Sequence, residues 1–175
     1  MKKNVFLSQL AGFVFVSVAG VLLHFLYDVS GASPIAAVFS GVNESTWEHM
    51  KLLYFPMLFY ALLQNRYLDG RMENFWCVKL KGTLLGLTMI PVLFYTIRGV
   101  FGDTPDWVNI SIFFVAAAVA FYYETETFKK DMGKCRGKSA LLLLLAVGVL
   151  FAVFTFFTPE IPLFRDPVTG GYGRG

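Results

Sequence analysis

This sequence predicts an all-α integral membrane bundle of five transmembrane helices, and three observations carry that prediction. Of its 175 residues, 56% are hydrophobic and only 15% charged, with a mean hydropathy of +0.59. A soluble domain carries nearer a quarter charged residues, and nineteen phenylalanines exceed what one small water-soluble core can bury. The apolar residues fall into long runs, which points to lipid as the solvent they face. Finally, the 15 Lys and Arg gather between alternate runs, as they do in multi-pass membrane proteins.

Helix 1 is expected over residues 5–27. Its Lys2-Lys3 start resembles a signal peptide, but the run is too long for a typical apolar region of one and contains His24; a retained helix is the expectation. The second span, 45–66, is the least ordinary. Only twelve uncharged residues, Leu52–Leu63, follow the polar stretch Asn43–Lys51, whereas a bilayer takes about twenty. Completing the span therefore draws Glu48, His49 and Lys51 into the membrane's outer third. The remaining spans are 76–97, 107–123 and 139–158. Pro56 and Pro91 fall inside the second and third, where a proline frees a carbonyl one turn back. Residues 159–175 hold Pro159, Pro162 and Pro167 and show no period. Ile161, Leu163, Phe164 and Tyr172 make them too apolar for a solvated tail, so an extracytoplasmic strap across the outer mouth is expected. No internal repeat is visible.

Orientation follows from the basic residues. Lys2, Lys3, Arg66, Arg71, Lys79, Lys81, Lys129, Lys130, Lys134, Arg136 and Lys138 fall on one side; Lys51, Arg98, Arg165 and Arg174 fall on the other. The first side is cytoplasmic by the positive-inside rule, giving a cytoplasmic N-terminus and an extracytoplasmic C-terminus. Cys77 and Cys135 then lie in cytoplasmic segments, where a disulfide is not expected. Glu124 and Glu126 read as a solvated charged helix end, and Lys51 as a side chain that snorkels outward. The basic residues sit at helix ends, so nothing indicates nucleic-acid binding.

Both histidines, with Asp28, Glu44 and Glu48, fall at the outer face. At 100° per residue, Gln9, Ser17, Gly20, His24 and Asp28 occupy one helix face, roughly 100° wide, that must meet protein. Ser45-x-x-Glu48 fits a helix capping box, which explains those two residues but neither His49 nor the second carboxylate, Glu44. Imidazole and carboxylate are the ligands a divalent ion such as zinc takes. The expected assignment makes His24, His49 and Asp28 metal ligands, with Glu44 an alternative third ligand and Glu48 a general base; Glu44 and Glu48 are the catalytic candidates. No established zinc spacing is present, so a hydrogen-bonded polar knot remains open, as does a Ser45/His49 nucleophilic pair.

The segments His24–Gly31, Val42–Lys51 and Pro162–Gly173 resemble the signature segments of a family of small bacterial multi-pass membrane proteins, domain of unknown function 6512. The resemblance covers the whole chain; Val29 and Val42 depart from the pattern without touching an ionisable residue. It implies a five-helix fold in the bacterial cytoplasmic membrane and supplies no activity. Three function classes follow from the residues. One is a metal-assisted hydrolase or transferase on a lipid-linked or small outer-face substrate, and another an ion- or proton-coupled transporter. The third is a non-catalytic scaffold; a homo-oligomer is compatible with each. A polar path running inward from the cluster would favour transport, and helices 3–5 offer only scattered Thr, Ser and Asn along one.

Overall fold

The computed structural model describes residues 2–67, 74–130 and 135–174; Arg71 and Lys134, counted in the charge bias, and Gly175 lie outside them, as do the side chains of Lys2 and Lys3. The described chain is all-helical: α1 (Lys2–Val29), α2 (Pro34–Phe39), α3 (Thr46–Tyr67), α4 (Phe75–Phe101), α5 (Asp106–Phe128) and α6 (Gly137–Phe156), followed by a 3-10 turn at Pro162–Phe164. The five long helices match the five expected runs and overrun them at several ends. Both internal prolines are absorbed without ending α3 or α4.

The helix α3 is central. It packs against α1, α4, α5 and α6, while α1 meets α5, α5 meets α4, and α4 meets α6. The outer helices thus form an open ring, α1–α5–α4–α6, and α2 lies in the gap, touching α1, α3 and α6. The small side chains of Ala36 and Ala37 let α2 bury one face there, and Pro34 in its first turn suits a helix start. The core centres on Leu53, Tyr54 and Phe55 of α3, against Val16, Ala116, Ala120 and Phe151. The Tyr54 hydroxyl donates to the Leu144 carbonyl at 2.6 Å, satisfying a polar group deep in the bundle.

Outward faces are apolar instead: Leu22, Phe25, Val92, Leu142 and Val149 are each more than half exposed. Such a circumference suits lipid and is a liability in water. Four helices are long and apolar enough to cross a membrane: α1 over Val5–Val29, α4, α5 and α6. The helix α3 is not among them, because Glu48, His49, Lys51 and Gln64 lower its hydropathy. Its position accounts for this, since a helix enclosed by others need not be apolar all round.

Three expectations are corrected. Glu124 is fully buried rather than solvated: α5 continues to Phe128, and the carboxylate meets Lys79 Nζ of α4 at 2.5 Å. Gly82 permits this approach, because a Cβ there would collide with the Glu124 side chain. Lys79 also faces Gln9 Oε1 at 3.3 Å and lies 5.4–5.8 Å from the ring centres of Tyr60, Phe75, Phe121 and Phe128. Likewise Lys51 does not snorkel. It is wholly buried, and its Nζ donates to Glu48 at 2.6 Å, the Ala37 carbonyl at 2.7 Å and Thr155 Oγ1 at 2.9 Å. Finally, Cys77 and Cys135 are joined as a disulfide, their Cα atoms 6.4 Å apart. The packing of α4 on α6 brings together two residues whose spacing in sequence gives no hint of pairing.

Residues after α6 pack back on the bundle. Phe164 is buried beside Trp47 and Phe154, at ring-centre distances of 4.7 and 5.7 Å. An isolated bridge joins Arg165 to Tyr172, and Asp166 organises the intervening turn by accepting from the Val168 and Thr169 amides.

Candidate metal centre

Three elements converge where α1 ends and α3 begins. The stripe expected on α1 does turn inward, with Gln9 and Gly20 buried and His24 half-buried near its outer end. The chain then crosses α2 and reaches a tight entry into α3. There the Ser45 amide donates to Asn43 Oδ1 at 2.9 Å, and the Glu48 amide donates to Ser45 Oγ at 3.4 Å. This is half a capping box. The reciprocal arm is replaced, because the Glu48 carboxylate reaches past Ser45 to the Val42 amide at 3.1 Å. The result is a turn that holds Glu44 outward, and a first helical turn that points His49 back at α1.

Glu44 lies between the two imidazoles. Its Oε1 is 3.6 Å from His24 Nε2, its Oε2 is 3.5 Å from His49 Nε2, and the two rings are 5.8 Å apart. One ligand atom from each residue falls within 4.8 Å of the others. Ligands of a tetrahedral zinc at about 2.0–2.1 Å lie roughly 3.3–3.5 Å from one another. The two carboxylate–imidazole separations are of that size but use different oxygens of Glu44, so one shared ion would take both oxygens or draw the three side chains closer together.

The proton on His49 is assigned by its partner. Its Nδ1 lies 3.0 Å from the Ser45 carbonyl oxygen, which can only accept. Nδ1 thus carries hydrogen, and in the neutral ring Nε2 presents a lone pair to Glu44. A histidine oriented through its second nitrogen by a backbone carbonyl is the usual support of a metal-binding imidazole. A carboxylate facing such a lone pair is repelled unless a cation, whether proton or metal, lies between them.

Beside this group is a small cavity of about 20 Å³, lined by Glu44, Thr46 and His49, by Ile90 and Phe94 of α4, and by Asn109, Ile112 and Phe113 of α5. That is room for about one water. Asn109 Oδ1 is buried there without a hydrogen-bond partner among the described residues, and a buried acceptor of that kind calls for a polar occupant. Asn109 and Thr46 are not legible as site residues in the sequence. The only signal at Asn109 is an amide in the first turns of an otherwise apolar helix.

Of the five residues singled out from the sequence, His24, Glu44 and His49 come together. Asp28 is exposed and lies outside the group. Glu48 is nearby in sequence but enclosed by Lys51, the Val42 amide and Thr155, whose hydroxyl lies 3.4 Å from Oε1.

A family model described as "Family of unknown function (DUF6512)" matches residues 2–174. Comparison with curated proteins gave no match, and comparison with solved structures gave none either.

Proposed function

We propose that this chain, which belongs to the DUF6512 family of unknown function, carries a divalent-metal site of a hydrolase or transferase acting at the outer face of a membrane. The observation that carries this reading is the convergence of His24 Nε2, His49 Nε2 and a Glu44 oxygen, with the His49 lone pair fixed by Ser45. Three protein ligands beside an open position is the pattern of catalytic rather than structural zinc. An ion held there supplies a Lewis acid at neutral pH.

The other residues have supporting roles in this reading. Asn109 accepts a hydrogen bond from whatever polar group enters the cavity. Glu48 is a positioning residue, because it binds the Val42 amide and so shapes the turn that presents Glu44. Five spans, a cytoplasmic N-terminus and an outer C-terminal strap over residues 159–175 complete the arrangement. The support for five spans is the length of α3, 22 residues or about 33 Å, against a hydrocarbon core of about 30 Å.

The test is elemental analysis of protein purified without chelator. One zinc-like ion per chain is expected, lost in His24→Ala and His49→Ala. Metal-free protein, even after zinc is added, would leave a hydrogen-bonded polar knot as the better account.

One observation favours a second reading, proton- or ion-coupled transport. The Lys79–Glu124 pair puts charge inside α4 and α5, which the sequence does not reveal. Proton flux in liposomes, abolished by Glu124→Gln, distinguishes it from the hydrolase.

A further inference from the structure

A second cavity, of about 350 Å³, lies between the C-terminal turns of α4 and the segment that follows α6. This is within the size range of small-molecule sites. Two guanidinium groups line it, Arg98 from α4 and Arg165 from the tail, together with Tyr95, Tyr172 and Asp166.

The charges there are not spent internally. Arg98 donates to Asp103 Oδ1 at 2.6 Å, but Asp103 is 88% exposed. An ion pair to so open a carboxylate contributes little and exchanges readily. Arg165 has no carboxylate partner among the described residues; its Nε donates only a long bond of 3.4 Å to the Gly170 carbonyl. The acid that lines the cavity is held by the turn rather than by an arginine, because Asp166 Oδ1 accepts from the Val168 amide at 2.7 Å and the Thr169 amide at 3.3 Å. The Tyr95 hydroxyl donates to the Pro162 carbonyl at 2.9 Å and so anchors one wall to the other. Gly170, at φ 75°, closes the turn in a conformation that side chains rarely adopt.

We infer that this cavity binds the phosphate of a phosphate-bearing ligand through Arg98 and Arg165. Planar guanidinium forks match phosphate oxygens two at a time, and two of them suit a group that carries up to two negative charges. The surrounding surface favours an amphiphile as its source. Val92 and Phe101 of α4 and Phe157 after α6 are strongly exposed and apolar, so the elements that line the cavity also carry surface that suits an acyl or prenyl chain. Phe94 lines both cavities, so one side chain separates this cavity from the small one beside the His24–Glu44–His49 group. The inference thus deepens the metal-site reading by naming its substrate class, a phosphorylated lipid or lipid-linked headgroup, and in that respect rests on it.

Binding is measured by titration calorimetry on full-length protein in non-ionic detergent, with octyl phosphate and inorganic phosphate as probes. Octyl phosphate should bind at least tenfold more tightly than inorganic phosphate, and Arg98→Gln and Arg165→Gln should each weaken it about tenfold or more. Equal affinity for the two probes, still lost with the arginines, supports the phosphate site and identifies its ligand as a soluble phosphate compound. Unchanged binding in both variants overturns the inference. A second measurement needs no variant: phenylglyoxal should modify Arg98 and Arg165 of the wild-type protein, and octyl phosphate should protect these two but not Arg66 or Arg136. Absence of protection overturns it equally. Repeating the titration with His49→Ala separates the two readings, because phosphate binding that survives there stands even if no metal is found.

Discussion

Asn43 and Gly173, 130 positions apart in the chain, are joined by a hydrogen bond of 2.7 Å from the Asn43 side-chain amide to the Gly173 carbonyl. The other end of the same side chain accepts from the Ser45 amide. One residue therefore ties the end of the chain to the turn that carries Glu44. Asn43→Ala removes both bonds and should cost about 1–2 kcal/mol. Thermal unfolding in detergent measures this. Truncation after Ile161 should lower stability further, because it also removes Phe164 from between Trp47 and Phe154. Stability unchanged in both variants would show that the tail's contacts contribute nothing.

At the triad, His24→Ala and His49→Ala should each abolish most zinc binding, and the double substitution should lose little more. Residues that hold one ion act as a unit, so their effects do not add. Glu44→Gln should weaken binding less severely, since an amide oxygen still ligates. Glu48→Gln should leave the metal ligands in place while loosening the turn and lowering stability, because it strands the buried Lys51 charge. Affinities from competition with a chromogenic chelator test the set, and strictly additive losses would argue against a shared ion.

Lys79 and Glu124 form a second buried ion pair, apart from Lys51 and Glu48. Neutralising one partner strands the opposite charge among Tyr60, Phe75, Phe121 and Phe128, and such a loss typically costs about 3–5 kcal/mol. Lys79→Met and Glu124→Leu should each be strongly destabilising. The double variant Lys79→Met/Glu124→Leu should recover much of the loss. A double variant as unstable as the sum of its singles would mean that the two groups do not act as a pair.

The joined cysteines pose a sharper question of place. The positive-inside rule puts Cys77 and Cys135 on the cytoplasmic side, whereas disulfides persist in oxidising compartments. Mass spectrometry under non-reducing conditions should find the Cys77–Cys135 linkage. After reduction, a membrane-impermeant maleimide should label both residues in broken cells and neither in intact ones. Labelling in intact cells would invert the orientation and move the triad to the inner face. The bond closes a loop between positions 58 apart, worth roughly 4 kcal/mol on the unfolded-chain entropy account. Cys77→Ser should show that loss in thermal unfolding.

What can be read from the sequence divides along a physical line. Runs of apolar residues are local, so the long helices and their order are legible to within a few positions. The entry into α3 is legible for the same reason, since Ser45 caps Glu48 three residues on. Glu124 misleads because its partner, Lys79, lies 45 residues earlier, and a charge at the end of an apolar run looks solvated until that partner is known. Lys51 misleads likewise, because oxygens that allow its burial come from α2 and α6. At the site, His24 and His49 stand out by rarity alone. The choice between Asp28 and Glu44 turns on the path of the chain through α2, which no periodicity describes. Asp28 shares a helix face with His24, yet it lies one turn too far out to join the group.

The burial of Lys51 has a consequence for how the chain enters its membrane. On the five-span reading, α3 is made second among the long helices, yet the hydroxyl its ammonium needs, Thr155, sits 104 residues later on the last one. Until α6 emerges, Lys51 has only Glu48 and the Ala37 carbonyl, and Glu48 only Lys51 and the Val42 amide, and a segment so charged partitions poorly into lipid by itself. On that reading, α3 is expected to settle fully in the bilayer only once α6 is available to pack against it.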